Sequence, residues 1–293
     1  MKRPGMGLPA GALLAVAACA GFERSARSVE GTAVSADGVP IRYRSAGRGD
    51  PAVVFVHGWS CDAAYWERQV NHFAGSRRVV TVDLAGHGGS GLDRKEWTMG
   101  AFADDVVAVV EALDLRRVVL VGHSMGGLVI VEAARRMPER TLALVPVDSF
   151  HDVDRTFTAA EKEEFLARLR ADFPAAAGEF IRGNLFSAST PPDLADWIVR
   201  DMTSGPPEVG IGAMSAVLDY NLRVGIAQVN LPFYCINSDL YPMNLDAARR
   251  YIASLQVHTI PGVGHFPMLE APEIFNRALE EGLRSLETGP GDA

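Results

Sequence analysis

The sequence predicts an α/β protein built on a mostly parallel sheet with helices on both faces and a helical segment inserted near its middle. Three observations carry this. Short β-branched runs alternate with amphipathic stretches through the first half of the chain. The alternation stops at about residue 150, and no strong strand pattern follows until about residue 228. A G-x-S-x-G turn then sits between one of the buried runs and a helix. Strand–helix alternation implies parallel strands joined by crossover helices, with both sheet faces covered.

Residues 29–35 and 39–46 read as two strands joined by a turn at Asp37-Gly38. Ala52–Val56, Arg78–Val82 and Val118–Val121 are continuous apolar runs, as expected of strands buried on both faces. Leu142–Val147 is a fourth such strand. Helical spacing covers Ala64–Phe73, Phe102–Leu113 and Leu128–Arg136, with Asp104 and Asp105 near the start of the second. Residues 150–227 look helical, with breaks at Pro174, Pro191-Pro192 and Pro206-Pro207. Strands resume at Phe233–Asn237 and Gln256–Ile260, with a helix over Leu245–Ala253 between them. A last helix runs over Pro272–Leu286, and residues 288–293 read as a disordered tail. The core is therefore expected from residues 28–149 and 228–287, with 150–227 as a helical lid.

The chain has 293 residues, 48% hydrophobic and 22% charged, enough for one large core carrying an insertion. A net charge of −8 with no basic stripe argues against nucleic acid as a partner. No CxxC or metal-ligand spacing is present, and nothing calls for a cofactor. Residues 1–27 stand apart. Met1-Lys2-Arg3 is followed by a small-residue apolar run and Val16-Ala17-Ala18-Cys19, which resembles a bacterial lipoprotein export signal with Cys19 as the lipidated residue. That reading tethers the protein to a membrane surface and exports it; the alternative is a cytoplasmic protein with an Ala-rich extension. Cys61 and Cys235 read as two buried, unpaired thiols, the alternative being a disulfide formed on export.

Four places carry the chemistry. In Gly122-His123-Ser124-Met125-Gly126 the serine falls at a strand-to-helix bend, where it can project above the sheet edge as a nucleophile. The glycines leave room for the bend, and the helix start offers free N–H groups to an oxyanion. His57-Gly58-Trp59 follows a buried strand and can supply a second oxyanion donor, the Trp59 N–H paired with that of Met125. His57 shapes this loop and moves no proton. His265, in Gly262-Val263-Gly264-His265-Phe266, follows the last strand, and an imidazole is the base that a hydroxyl nucleophile needs near neutral pH. The acid that orients it is expected to be Asp239, after the Phe233–Asn237 strand; Asp148, after the preceding strand, is the alternative. His87, in the glycine-rich Asp83–Ser90 loop, reads as structural.

These segments, with HGW at 57–59, DLAGHGGSG at 83–91, GHSMGG at 122–127, NSD at 237–239 and GVGHF at 262–266, resemble the α/β-hydrolase superfamily over roughly residues 30–287. The resemblance implies an eight-stranded, mostly parallel sheet and a triad of Ser124, Asp239 and His265, with Trp59 and Met125 as backbone oxyanion donors. It is similar to the lidded group of small-molecule esterases, serine-dependent haloperoxidases and carbon–carbon bond hydrolases. Ser124 stands where epoxide hydrolases and haloalkane dehalogenases carry Asp. The implied activity is hydrolysis of a small or medium hydrophobic ester through an acyl-enzyme. The alternatives are carbon–carbon bond or lactone cleavage by the same triad, and a ligand-binding sensor with little turnover. Trp59, Phe266, Phe180, Trp197 and Met214 are the candidate pocket residues, although each apolar lid residue can equally be lid core.

Overall fold

The computed structural model describes residues 28–288. The expected export signal, Cys19 and the tail beyond Thr288 lie outside the described residues.

Eight strands form one sheet in the order β1-β2-β4-β3-β5-β6-β7-β8. β1 (Val29–Val34) and β2 (Pro40–Ala46) form an antiparallel hairpin at one edge, and β2 is also antiparallel to β4 (Val79–Val82). From β4 across, every pairing is parallel: β3 (Ala52–Val56), β5 (Val118–His123), β6 (Thr141–Val147), β7 (Phe233–Ser238) and β8 (Leu255–Ile260). β3 and β5 are buried at every position, which is why their sequences do not alternate. The chain leaves β3 toward β4, then returns to place β5 on the other side of β3. That reversal opens a crevice at the carboxyl ends of β3 and β5, the general location of ligand sites in open α/β sheets.

The helices of the core are α1 (Glu67–Phe73), α2 (Met99–Ala112) and α3 (Met125–Arg136), then α9 (Leu245–Tyr251), α10 (Pro267–Glu270) and α11 (Pro272–Thr288). Ala64–Trp66, read from sequence as part of a single helix with α1, belongs instead to a 3₁₀ turn over Ala63–Trp66 capped by Asp62. α2 begins three residues earlier than its apolar spacing suggests, because the Thr98 hydroxyl accepts the Ala101 N–H. Asp105 is not there to complement the helix dipole. It is wholly buried, and its carboxylate accepts Ser35 Oγ at 2.6 Å, Ala85 N at 2.9 Å and Arg94 Nη2 at 2.6 Å, tying the β1–β2 turn to the loop after β4. α11 runs to Thr288, past the Leu286 end read from its sequence.

Between β6 and β7 the chain forms α4 (Ala159–Ala171), α5 (Phe173–Asn184), α6 (Pro192–Met202), α7 (Pro207–Asp219) and α8 (Leu222–Ile226). The prolines that break the sequence pattern stand in the first turns of α5, α6 and α7, where a missing N–H costs nothing. Thr158 and Glu161 close a reciprocal capping box on α4. The insertion is fixed to the core by the Tyr220 hydroxyl, which donates to Glu132 on α3 at 2.8 Å. Cys61 and Cys235 are both free and buried.

Candidate active site

Ser124 lies between the last residue of β5 and the first of α3, at φ 52 and ψ −116. This is a backbone conformation that L-residues rarely adopt, and such strain is typical of functional turns. The Ser124 N–H donates to the Val147 carbonyl at the end of β6, 2.9 Å away, which pins the bend. A Cβ at Gly122 would lie 2.3 Å from the Gly126 carbonyl oxygen, and one at Gly126 would lie 2.6 Å from the carbonyl oxygens of both Val56 and His57. The second clash involves the end of β3. Gly126 therefore serves the elbow and also lets the HGW loop close against it. Parallel pairing of Val56 with Gly122 sets that juxtaposition.

The HGW loop is braced by the His57 side chain. His57 donates from Nδ1 to the Gly58 carbonyl at 2.8 Å and accepts the Leu84 N–H at Nε2, 3.0 Å away. Complete burial pushes its pKa down to about 4, so it is a neutral strut between two loops. The Trp59 indole donates to the Gly210 carbonyl on α7 at 2.7 Å, which joins this loop to the insertion. Met125 opens α3, so its N–H has no partner within the helix. His87 is buried too, held by the Ala85 carbonyl at 2.9 Å, with its pKa lowered by burial to about 3.

The acid is where the structure departs from the expected assignment. His265 Nδ1 lies 2.6 Å from Oδ2 of Asp148. Asp239 is exposed, and its Oδ1 accepts the Gly262 N–H at 2.8 Å. The reason is topological. β6 is the strand next to β5, with Val147 paired to His123, so the residue just past its end stands beside the elbow. β7 lies one strand further out and continues through Ser238, after which the chain turns to the surface. Burial by itself would raise the Asp148 pKa, but the two imidazoles beside it, His151 and His265, outweigh it and hold the carboxylate well below its ordinary range. Its Oδ1 also accepts the Ser238 N–H at 2.6 Å.

Three further features hold His265, and the sequence motifs assign none of them this role. The His265 N–H donates to the Leu185 carbonyl at 2.8 Å, just past α5. His123 Nε2, in the elbow itself, donates to the His265 carbonyl at 2.8 Å; burial lowers its pKa to about 3 and keeps the ring neutral. Glu270 accepts the Gly264 N–H at 2.8 Å, the Phe266 N–H at 3.2 Å and the Thr190 hydroxyl at 2.6 Å. Its carboxylate thus clasps both sides of His265 to the α5–α6 segment. Tyr241 adds a further tie, donating to the Asn184 carbonyl at 2.9 Å.

Ser124 and His265 both face a cavity of about 530 Å³. Trp59, Phe180, Met214 and Phe266 line it, together with Met125, Met202 and Leu218. Trp197 does not line it. Its ring packs on Tyr65 with centroids 5.0 Å apart, and the residue is 36% exposed. The exposed charged side chains of Arg155, Glu161, Glu164 and Arg168 border the same cavity on the α4 side. The space is apolar at depth and charged where it meets water, a shape suited to a ligand with an apolar body.

Residues 53–278 match the model of the alpha/beta hydrolase family. A non-heme chloroperoxidase of Streptomyces lividans is 30% identical over 269 residues, covering 84% of this chain and 96% of that protein. A strigolactone esterase of Pisum sativum is 26% identical over 270 residues, covering 84% and 99%. The solved structure of a thermophilic esterase from Thermogutta terrifontis superposes with a TM-score of 0.78 at 28% identity, over 89% of this chain and 99% of that one. With the eight-stranded sheet, the elbow at its switch point and a family match over most of its length, the chain belongs to the alpha/beta hydrolase family.

Proposed function

We propose that the protein is a serine carboxylesterase acting on small or medium hydrophobic esters, with Ser124, His265 and Asp148 as its triad. One observation carries the reading: the strained Ser124 elbow and the His265–Asp148 pair, 2.6 Å apart, open onto one apolar cavity. With Nδ1–H given to Asp148, His265 keeps Nε2 as the proton acceptor. His265 takes the Ser124 proton as Oγ attacks the ester carbonyl, and the Trp59 and Met125 N–H groups hold the developing oxyanion. The imidazolium then protonates the departing alkoxide, leaving an acyl group on Ser124. Water, deprotonated by the same Nε2, attacks that acyl group, and the collapse of the second tetrahedral intermediate returns the proton to Oγ. Asp148 stays ionised throughout. The esterases among the similar proteins support the reading, and a lactone, as a cyclic ester, is open to the same steps.

The test is turnover of p-nitrophenyl esters and lactones by Ser124→Ala, with a fluorophosphonate probe on the unaltered enzyme. Loss of at least about 10³-fold is expected, with covalent labelling at Ser124. Full activity in the variant, or no labelling of folded protein, overturns the assignment.

A further inference from the structure

His151 belongs to no sequence motif, yet its Nε2 lies 3.6 Å from Asp148 Oδ2, the same oxygen that meets His265 Nδ1. The loop is shaped to put it there. Asp148 at φ 43 and Phe150 at φ 63 are both left-handed without being glycine, so the chain doubles back within three residues. Residues in that region persist where their surroundings over-determine them. Here Phe150 is buried with its ring 6.2 Å from that of Phe233, and the Asn244 N–H donates to the His151 carbonyl at 2.6 Å. Neither ring nitrogen of His151 has a hydrogen-bond partner among the described residues. At 3.6 Å the approach to Asp148 is beyond a hydrogen bond, so a proton on the His151 ring would meet the wholly buried carboxylate as a charge.

We infer that His151 is a positioning residue for the triad base: it shares the charge of Asp148 with His265, so that the carboxylate supports one imidazolium between the two rings and not two. The inference rests on the triad assigned above. The groups facing the pair bear it out. The Tyr241 ring, after β7, meets the His151 ring edge-on with centroids 6.0 Å apart, and its hydroxyl is engaged by Asn184. The His123 ring, 4.7 Å from His265 on the elbow, is neutral. In the His151 loop, Asp152 is exposed and Asp154 is paired with Arg250 and the Tyr251 hydroxyl; Asp239 is turned to the surface. Asp148 is therefore the shared anion. Sites coupled this closely titrate as a pair. A proton held on His151 leaves Nε2 of His265 free as the base, which extends activity to lower pH than an isolated triad allows.

The experiment is the pH profile of kcat/KM for the unaltered enzyme, His151→Gln and His151→Lys. Gln carries no titrating charge, so every proton falls on His265. Whatever this variant costs on the plateau, its acid limb moves up by about half a pH unit, about a threefold loss at fixed pH on that limb. The permanent cation of Lys moves the limb below that of the unaltered enzyme. A purely structural role lowers the plateau without moving the limb, and a Gln limb within about 0.2 unit of the original overturns the inference. Proton NMR titration of the two imidazoles in the unaltered enzyme gives a second readout that needs no variant to fold. Mutually broadened curves are expected, and two independent single-proton curves overturn the inference. An active Ser124→Ala would instead overturn the triad itself, so the two failures are distinct.

Discussion

His265 Nδ1 and Asp148 Oδ2 are 2.6 Å apart, with the Asp148 side chain wholly buried and the His265 side chain 12% exposed. A buried carboxylate on one ring nitrogen fixes the tautomer that leaves the other nitrogen basic. Asp148→Asn is expected to lower kcat/KM for an aryl ester by about 10³–10⁴-fold, while Asp239→Asn stays within a few-fold of the unaltered enzyme. The reverse ranking would return the acid to Asp239. Asp148 also affects stability. A lowered carboxylate pKa contributes stability above the unfolded value of 3.8 and loses it as pH falls below that value. The stability gap between the enzyme and Asp148→Asn is therefore expected in full at pH 7 and should begin to narrow below about pH 4 in denaturant titrations.

Glu270 holds the peptide N–H groups on either side of His265 and the Thr190 hydroxyl of the insertion. Its removal frees the loop that aims the imidazole. Glu270→Ala should lower kcat by about tenfold or more with a smaller change in KM, since loss of aim penalises chemistry before binding. The rate of fluorophosphonate labelling should fall in parallel. An unchanged kcat would mean that the Leu185 and His123 contacts hold His265 without it.

His57, His87 and His123 are buried and neutral, with pKa values lowered from 6.5 to about 4, 3 and 3. On unfolding each regains its ordinary affinity for a proton. Below pH 6.5 the unfolded chain thus binds protons that the native one does not, and stability falls as pH falls. Three such groups give an upper slope of about 4 kcal/mol per pH unit between roughly pH 4 and 6. Denaturant unfolding at half-unit steps should show this acid loss, and His87→Gln should reduce the slope by about one proton. A flat profile from pH 6 to 5 would contradict the neutral, buried state of the three rings.

Met214, on α7, is 7% exposed and lines the cavity facing Ser124. Filling that space shortens what it can accept. Met214→Trp should lower kcat/KM for p-nitrophenyl octanoate relative to the acetate by about tenfold, a loss in the range expected for a few methylene contacts. An equal loss on both esters would place Met214 in the packing of the insertion and outside the acyl path.

The sequence by itself determined the sheet, the elbow and the place of the candidate base. Val118–Val121 needs burial on both faces, GHSMG has the bend and the room for it, and His265 follows the last strand. Each of these depends on residues close together in the chain. The prolines at 174, 192 and 207 likewise marked helix boundaries through local backbone constraints alone. What only the tertiary structure decided depends on which strand stands next to which. Asp239, the expected acid, and Asp148, the alternative, each stand just past a buried strand, and local pattern led to the wrong one of the two. β6 abuts β5 and β7 does not, so Asp148 reaches His265 and Asp239 caps a surface turn. Trp197 has the composition of a pocket residue and faces Tyr65 instead, because the rotation of α6 sets its direction. Leu185 and Thr190, from the insertion, and Asp148, from the end of β6, converge on the loop that holds His265 from distant points in the chain. Side-chain and main-chain contacts of that range leave no periodicity and no motif, so only the folded chain brings them into view.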